Sequence, residues 1–198
     1  EMVFKKDGTM GVRPFPELLA AIRKTEGKVD LFACARKLSG EWQIDAAQRT
    51  LQYTGESGGI VLLDLPEKNP NYYFEAELEF GSPQTSANIV VRSSDTADHG
   101  YGFGLSPAEK KIVIRGFNYR SDGKVLNDKE YAFPGKNGVS LQIFICDNNM
   151  EVFVDGQECL SARTIDRTCH KATIEITGGS ATISKPLLHY FKNRKETP

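Results

Sequence analysis

A polar segment near the middle of the sequence carries the residue types best suited to chemistry. Arg92, Asp95, Asp98, His99 and Tyr101 all stand between positions 92 and 101. Guanidinium and carboxylate groups form paired hydrogen bonds with neighbouring sugar hydroxyls, and a tyrosine ring offers a sugar an apolar face. The segment is therefore a candidate carbohydrate site. The alternative is an ordinary polar loop whose aspartates cap turns.

Trp42 and two histidines are the other residues whose types could take part in binding or catalysis. Trp42 is the single tryptophan, and it either stacks on a sugar or fills the core. His170 and His189 have no neighbour in sequence that would complete a metal pair or a catalytic triad. The aspartates near position 95 lack the Asp-x-Asp-x-Asp-Gly order of calcium loops. We therefore predict no metal site and no cofactor.

The overall charge excludes several classes of partner. The 198 residues carry a formal net charge of -1 with a pI near 6.4, so no basic excess attracts phosphate backbones or anionic lipid. No apolar run approaches the roughly 20 residues of a membrane helix. We expect a soluble protein that binds neither nucleic acid nor membranes, while its compartment stays open.

The four cysteines show no metal-binding pattern. Cys34, Cys146, Cys159 and Cys169 lack the C-x-x-C spacing of zinc ribbons and thioredoxin-like motifs. Reduced, structural cysteines are the simplest interpretation. A bridge between Cys159 and Cys169 is the alternative, which spacing alone does not decide.

Periodicity divides the chain into a connector and a β domain. Prolines at 14 and 16, Glu17 in the first turn and Arg23 and Lys24 in the last predict a short helix over 16–25. From about residue 50 the apolar residues recur at period two, which is typical of strands. We assign 1–30 to a linker with the helix, 31–191 to one β-sandwich module and 192–198 to a frayed tail.

Short alternating segments separated by turn residues predict the fold class. They lie at 59–65, 73–80, 87–93, 101–105, 111–117, 139–146, 150–155, 172–177 and 181–191. Asp147-Asn148-Asn149 and Asp155-Gly156 are predicted to form tight turns. With almost no helix available for parallel crossovers, they predict an all-β, antiparallel, two-sheet sandwich. We expect a core that includes Phe74, Leu78, Phe144, Val152, Val154 and Ile174. Phe153 should face the opposite side of its strand, towards a neighbouring domain.

Two stretches resemble the C-terminal region of glycoside hydrolase family 32. Arg-Pro-Phe-Pro-Glu-Leu at 13–18 is similar to the linker that leaves the catalytic propeller of that family. The hairpin at 141–156, which contains Glu-Val-Phe-Val, resembles a strand pair of its C-terminal sandwich. Cys146 and Asp147 depart from the family, which carries Asp and Arg there. The middle of the chain, with Val-Val-Arg-Ser-Ser-Asp at 90–95, resembles related fructan-binding modules.

The resemblance implies a concanavalin-like jelly roll and a non-catalytic module of a sucrose- or fructan-hydrolysing enzyme. Its partner would be the catalytic β-propeller of the same parent chain, with contact to fructan or fructose as a further possibility. An autonomous fructan-binding module and a small sandwich glycosidase are the alternatives.

Catalysis by this chain alone is not expected. Retaining glycosidases need two carboxylates about 5 Å apart. The family's Trp-x-Asn-Asp-Pro nucleophile stretch and its Arg-Asp-Pro stretch are absent from the sequence. Glu158-Cys159 matches the family's Glu-Cys acid pair in letters but follows the sandwich hairpin. We expect Glu158 to contact water and Arg163 or Lys171.

Overall fold

A computed structural model describes residues 1–5, 8, 10–24, 27–66, 71–117, 123–133, 138–165 and 168–191. Short strands joined by turns make up most of this part of the chain. The elements, in chain order, are β1 Met2–Phe4, β2 Met10–Val12, α1 Pro16–Arg23, β3 Lys28–Val29, α2 Leu31–Cys34, β4 Ala35–Ser39, β5 Trp42–Asp45, β6 Thr50–Tyr53, β7 Gly59–Leu63, β8 Tyr72–Phe80, β9 Ser86–Ser93, β10 Gly100–Ser106, β11 Lys111–Phe117, β12 Lys124–Glu130, β13 Gly138–Cys146, β14 Asn149–Val154, β15 Glu158–Arg163, β16 Lys171–Thr177 and β17 Ala181–Tyr190.

These strands form the predicted two-sheet antiparallel sandwich. Within the described residues, β12-β11-β10-β9-β16-β7-β4 form a seven-stranded sheet. An eight-stranded sheet has the order β15-β14-β13-β8-β17-β6-β5, with β3 added beside β17. A separate hairpin pairs β1 with β2. The fold class predicted from period-two patterning is confirmed.

Alternation places one side of each central strand in the core between the sheets. In β8, Phe74, Ala76, Leu78 and Phe80 all belong to this main core. Leu141, Ile143 and Ile145 of β13 and Val152 and Val154 of β14 join them, as does Ile174 of β16. The predicted core positions are confirmed except for Phe144, which is buried on the opposite face of β13.

Turn chemistry sets the register of the strongest hairpin. Cys146 pairs with Asn149, so two residues connect β13 to β14, and Asp147 takes a φ of 51°. Asp155 and Gly156, at the next turn, have φ values of 52° and 59°. A positive φ is accessible to Asp and Gly at low cost, and tight antiparallel turns need it. Both turns lie where the sequence predicts them.

Of two expectations about the first 50 residues, the helix agrees with the structure and the start of the sheet needs correction. Helix α1 ends at Arg23 and agrees with the prediction over 16–25, of which residue 25 lies outside the described part. The sheet does not begin near residue 50, because β3, β4 and β5 precede it. These early strands are short or mostly exposed, so they lack the alternation that marks the later ones. The predicted tail at 192–198 lies outside the described residues.

The outer face of the eight-stranded sheet carries a second apolar cluster. Ile22 of α1 packs there on Tyr73, Phe144 and Phe153, which we call the outer cluster. Its rings contact one another at centroid distances of 4.8 Å for Tyr73–Phe144 and 5.7 Å for Phe144–Phe153. Phe153 therefore faces away from the main core, as predicted. It is only 7% exposed, because the linker helix covers it.

Candidate functional site

A bulge in β9 decides the position of Arg92. Val91 pairs with Ala172 and Ser93 with Lys171, which leaves Arg92 as an extra residue with a φ of 51°. An extra residue of this kind bends its strand and redirects its side chain. Arg92 is consequently one of the most buried residues of the protein, at 1% exposed.

The guanidinium of Arg92 binds the protein's own oxygens. Its Nη1 donates to the carbonyl oxygen and to Oγ1 of Thr164, both at 2.7 Å, and its Nη2 donates to the carbonyl of Asp147. A buried charge is tolerated when hydrogen bonds of this kind replace its hydration. Arg92 thus joins the ends of β9, β13 and β15 from inside the sandwich. Sequence reasoning placed it on the loop surface as a sugar ligand, but the bulge removes it from that surface.

The aspartates that follow are held by short-range contacts. Asp98 accepts a hydrogen bond of 2.5 Å from Ser94 Oγ, and its own amide donates to that oxygen. Hydrogen bonds from Ser94 and Thr96 lower the pKa of Asp98. Asp95 forms an ion pair of 2.7 Å with Lys171, whose hydrogen bond lowers the pKa of Asp95. Both carboxylates are therefore charged at neutral pH, Asp95 on an exposed residue and Asp98 on a half-buried one.

His99 and Tyr101 are the last two candidate residues of this segment, and both are less exposed than Asp95. Both are half-buried, and Tyr101 packs against the main core. Its ring lies beside Gly116 of the neighbouring strand, where an added Cβ would come within 3.3 Å of it. The structure thus places Asp95, Asp98 and His99 on one loop, in which Asp95 is exposed and the other two are half-buried. Sugar binding by that loop stays a prediction.

Trp42 does not belong to this loop. It lies on β5 in the other sheet, is 2% exposed, and packs its ring 5.2 Å from that of Tyr53. A ring buried to this extent has no face left for a sugar. Trp42 therefore fills the core, which is one of the two roles that the sequence allows for it.

Glu158 has different partners from those expected. Its carboxylate is paired with Lys5 of the N-terminal segment and with Lys129 of β12, so the expected pairing with Arg163 or Lys171 is wrong. Burial alone would raise the pKa of Glu158, but hydrogen bonds from Lys129 and Lys5 outweigh it and lower the pKa below 4.5. A general acid needs a raised pKa. Glu158 instead fastens the N-terminal segment to the sandwich.

The N-terminal segment forms an apolar groove that sequence reasoning missed. The groove has a volume of about 550 Å³ and lies between this segment and the outer face of the eight-stranded sheet. Its apolar lining includes Val12, Pro14, Phe15, Leu18, Phe144 and Phe153. The sequence signal for this groove is aromatic residues at consecutive strand positions, which place rings on both faces of the sheet, as in Tyr-Tyr-Phe at 72–74. Such strands are buried on both faces.

The thiols and carboxylates of the described residues show neither disulfides nor metal clusters. Cys34, Cys146, Cys159 and Cys169 are all free. Burial raises the pKa of Cys34 and of Cys159 to about 11, so both stay protonated and unreactive at neutral pH. In the same part of the chain, no three His, Cys, Asp or Glu side chains converge in a way that would hold a metal ion. Nor does any described helix have the length and apolar character to cross a membrane.

Comparison with protein-family models identifies the family of this domain. The model for the C-terminal region of glycosyl hydrolases of family 32 matches residues 38–188, which is most of the chain. The chain belongs to this family. The β1–β2 hairpin, α1 and β3 of this family 32 C-terminal domain lie on the N-terminal side of the matched residues. Among curated proteins, no significant sequence match is found.

Solved structures share the fold of this family 32 C-terminal domain at low identity. The carbohydrate-binding module CBM66 from Bacillus subtilis aligns with a TM-score of 0.66 at 12% identity, over 79% of this chain and 95% of that one. A β-fructofuranosidase from Aspergillus kawachii aligns at 0.59 and 16%, over 91% of this chain and 30% of the enzyme. A fructosyltransferase from A. japonicus aligns at 0.59 and 13%, over 96% and 31%. The chain thus spans under a third of each enzyme's length.

Proposed function

We propose that this chain is a non-catalytic module that packs against the catalytic propeller of a sucrose- or fructan-hydrolysing enzyme and stabilises it. The observation that carries the proposal is an apolar surface on the N-terminal segment. Among described residues, the exposed large hydrophobic side chains from the first 18 positions are Met2, Phe4, Met10, Val12, Phe15 and Leu18. The other exposed large hydrophobic side chains of the described residues are Val125, Leu126 and Ile165.

The degree of exposure argues for a partner. Phe4 is 83% and Phe15 58% exposed, although each would gain about 2 kcal/mol from complete burial. Contiguous apolar surface of this kind usually marks an interaction site. Because the family is defined by the C-terminal region of its enzymes, a catalytic domain would be joined through this same segment. A domain joined through this segment would lie next to the segment's apolar surface, so we infer that the catalytic domain covers that surface.

The segment is also fixed to the sandwich, as an interface element must be. The amide of Val12 donates to the carbonyl oxygen of Gln157 at 3.0 Å, and Lys5 is paired with Glu158. On α1, Arg23 binds Glu75 at 2.7 Å, and Ile22 enters the outer cluster. A partner would therefore meet a surface that is ordered in advance, which lowers the entropic cost of association.

Paired substitutions in the complete enzyme test the proposal. Phe4→Ser with Phe15→Ser should lower the melting temperature of the catalytic domain by several degrees, because two buried rings would be lost from the interface. Val125→Ser with Leu126→Ser is the matched control, since these exposed apolar residues lie on β12 and should leave that temperature unchanged. Equal effects of the two pairs, or no effect of either, would rule out the proposed interface.

A second candidate function is sugar binding by the loop that carries Asp95, Asp98, His99 and Tyr101. Two charged carboxylates in one loop, one exposed and one half-buried, favour it, because carboxylates accept hydrogen bonds from hydroxyl pairs. The fold shared with CBM66 is compatible with such a role. Calorimetry of the chain with levan and inulin would test it, and Asp98→Ala should weaken binding by about 1–3 kcal/mol. Affinity that does not change in this variant would exclude the loop.

A further inference from the structure

The outer face of the seven-stranded sheet carries a second groove with different chemistry. It has a volume of about 300 Å³ and crosses strands β9, β10, β11 and β16. We call it the sheet groove. Its polar lining and its floor include Asn88, Gly104, Ser106, Glu109, Arg115 and Glu175.

Strand register builds this groove. Glu175 stands opposite Asn88, Asn88 opposite Gly104, and Gly104 opposite Val113, so the four residues form one row across the sheet. Gly104 has no side chain and leaves a gap in that row. A Cβ added to Gly104 would lie 3.0 Å from Val113 Cγ1 and 3.7 Å from Arg115 Nη1. The guanidinium of Arg115 therefore stands at the rim of the gap.

Hydrogen bonds fix the other side of the groove. Asn88 Nδ2 donates to Glu175 Oε2 at 3.0 Å, and Thr173 Oγ1 donates to Glu175 Oε1 at 3.4 Å. Thr173 is fully buried and lies two residues before Glu175 on the same face of β16, so it holds the carboxylate from the neighbouring position. Polar groups positioned in this way bind a ligand without losing rotamer freedom at the moment of binding.

The mixture of groups indicates the class of ligand. Two carboxylates, one guanidinium, an amide and a serine hydroxyl offer both donors and acceptors, with no excess of positive charge to bind phosphate. A polar lining disfavours an apolar molecule, and the volume is at the lower end for small-molecule sites. We propose that the sheet groove binds a single neutral sugar unit, such as one end of an oligosaccharide.

This site is distinct from the two surfaces already described. It lies on the opposite side of the sandwich from the apolar groove, so it does not rest on the proposed packing against a catalytic domain. Asn88 precedes Arg92 by four strand residues, which corresponds to about 13 Å along β9. A ligand in the sheet groove would thus leave the loop at 94–99 uncovered.

Chemical-shift mapping of the isotope-labelled chain tests the proposal. The probes are 1-kestose, maltotriose and lactose, each added to roughly 20 mM, because single-unit sites bind in the millimolar range. We expect at least one probe to shift the amides of 86–88, 104–106, 113–115 and 175–177. Arg115→Ala and Asn88→Ala should each weaken that binding at least tenfold. Arg36→Ala is the matched control on the far strand of the same face.

Each remaining outcome contradicts the sheet groove. Shifts confined to 94–101 would assign sugar binding to the loop instead. Shifts at the groove that Arg115→Ala and Asn88→Ala leave unchanged would show that these side chains do not contact the sugar. An absence of shifts with all three probes would show that the groove does not bind sugars. None of these results bears on the melting temperature of the catalytic domain, which tests the packing proposal separately.

Discussion

The two outer faces of the sandwich differ although the strands beneath them alternate in the same way. On the eight-stranded sheet the outward residues include Tyr73, Phe144 and Phe153, and helix α1 covers them. On the seven-stranded sheet the outward row of Asn88, Gly104 and Glu175 lies under the polar sheet groove, whereas the neighbouring outward row of Leu62, Val90 and Thr173 is buried. In each strand, the residues that point away from the main core therefore indicate what lies outside the sheet. Aromatic side chains there indicate a covering element, and small or polar ones indicate an open face.

Removing a ring from the covered face should have the largest effect. Phe153→Ala is expected to lower the free energy of unfolding by about 3–5 kcal/mol, since it opens a cavity under α1. Phe15→Ala, which removes an exposed ring from the same region, should change it by less than about 0.5 kcal/mol in the isolated chain. Urea unfolding measures both. Similar values for the two variants would mean that α1 does not cover this face.

Substitution of Arg92 tests whether the bulge in β9 buries this side chain instead of leaving it at the surface. Arg92→Met should cost about 2–4 kcal/mol, because it removes the guanidinium that donates to the buried oxygens of Thr164. Arg36→Met, an exposed arginine on the same sheet, serves as the control and should cost almost nothing. A small effect at both positions in thermal unfolding would place the Arg92 side chain at the surface, as the sequence interpretation had it.

The ion pairs of Glu158 connect β15 to β12 and to the N-terminal segment. Glu158→Gln should cost about 1 kcal/mol at pH 7, a modest value because solvent reaches the half-exposed Lys129. The folded state lowers the pKa of Glu158, so its contribution is present above about pH 4.5 and is lost as the pH falls through the folded value. The stabilities of wild type and variant should therefore converge as the pH falls below the folded-state pKa of Glu158. A difference that grows on acidification would contradict the assigned charge state.

The same variant separates structure from catalysis. Neither wild type nor Glu158→Gln should release fructose from sucrose, inulin or levan, because a carboxyl whose pKa is lowered holds no proton to donate at neutral pH. A reducing-sugar assay on the purified chain is sufficient. Fructose release that Glu158→Gln abolishes would restore Glu158 as an acid.

The open face should show the smallest effect on stability. Arg115→Ala removes a side chain that is exposed and far from the main core, so the free energy of unfolding should change by less than about 0.5 kcal/mol. Differential scanning calorimetry measures this change. A loss above about 1 kcal/mol would mean that Arg115 serves the fold, and the contrast between the two faces would weaken accordingly.

The fold was largely accessible from the sequence, and the candidate sites only in part. Alternation in segments such as 73–80 and turns such as Asp155-Gly156 are local signals, so the sandwich and its strongest hairpin were predicted. The position of Arg92 depends on a bulge between β9 and β16, which is a property of strand pairing and leaves no local trace. The gap at Gly104 depends equally on register across four strands. The covering of Phe153 by α1 required contacts between residues far apart in sequence.

Hydrogen–deuterium exchange on the complete enzyme and on this chain alone tests the central claim most directly. If the chain packs on a catalytic domain through its N-terminal surface, amides of β1, β2 and the residues leading into α1 should exchange more slowly in the complete enzyme. Amides of β9, β10 and β11 on the open face should exchange equally in both. Protection that appears on β9, β10 and β11 instead, or no difference at the N-terminal segment, would contradict the proposed role of the module.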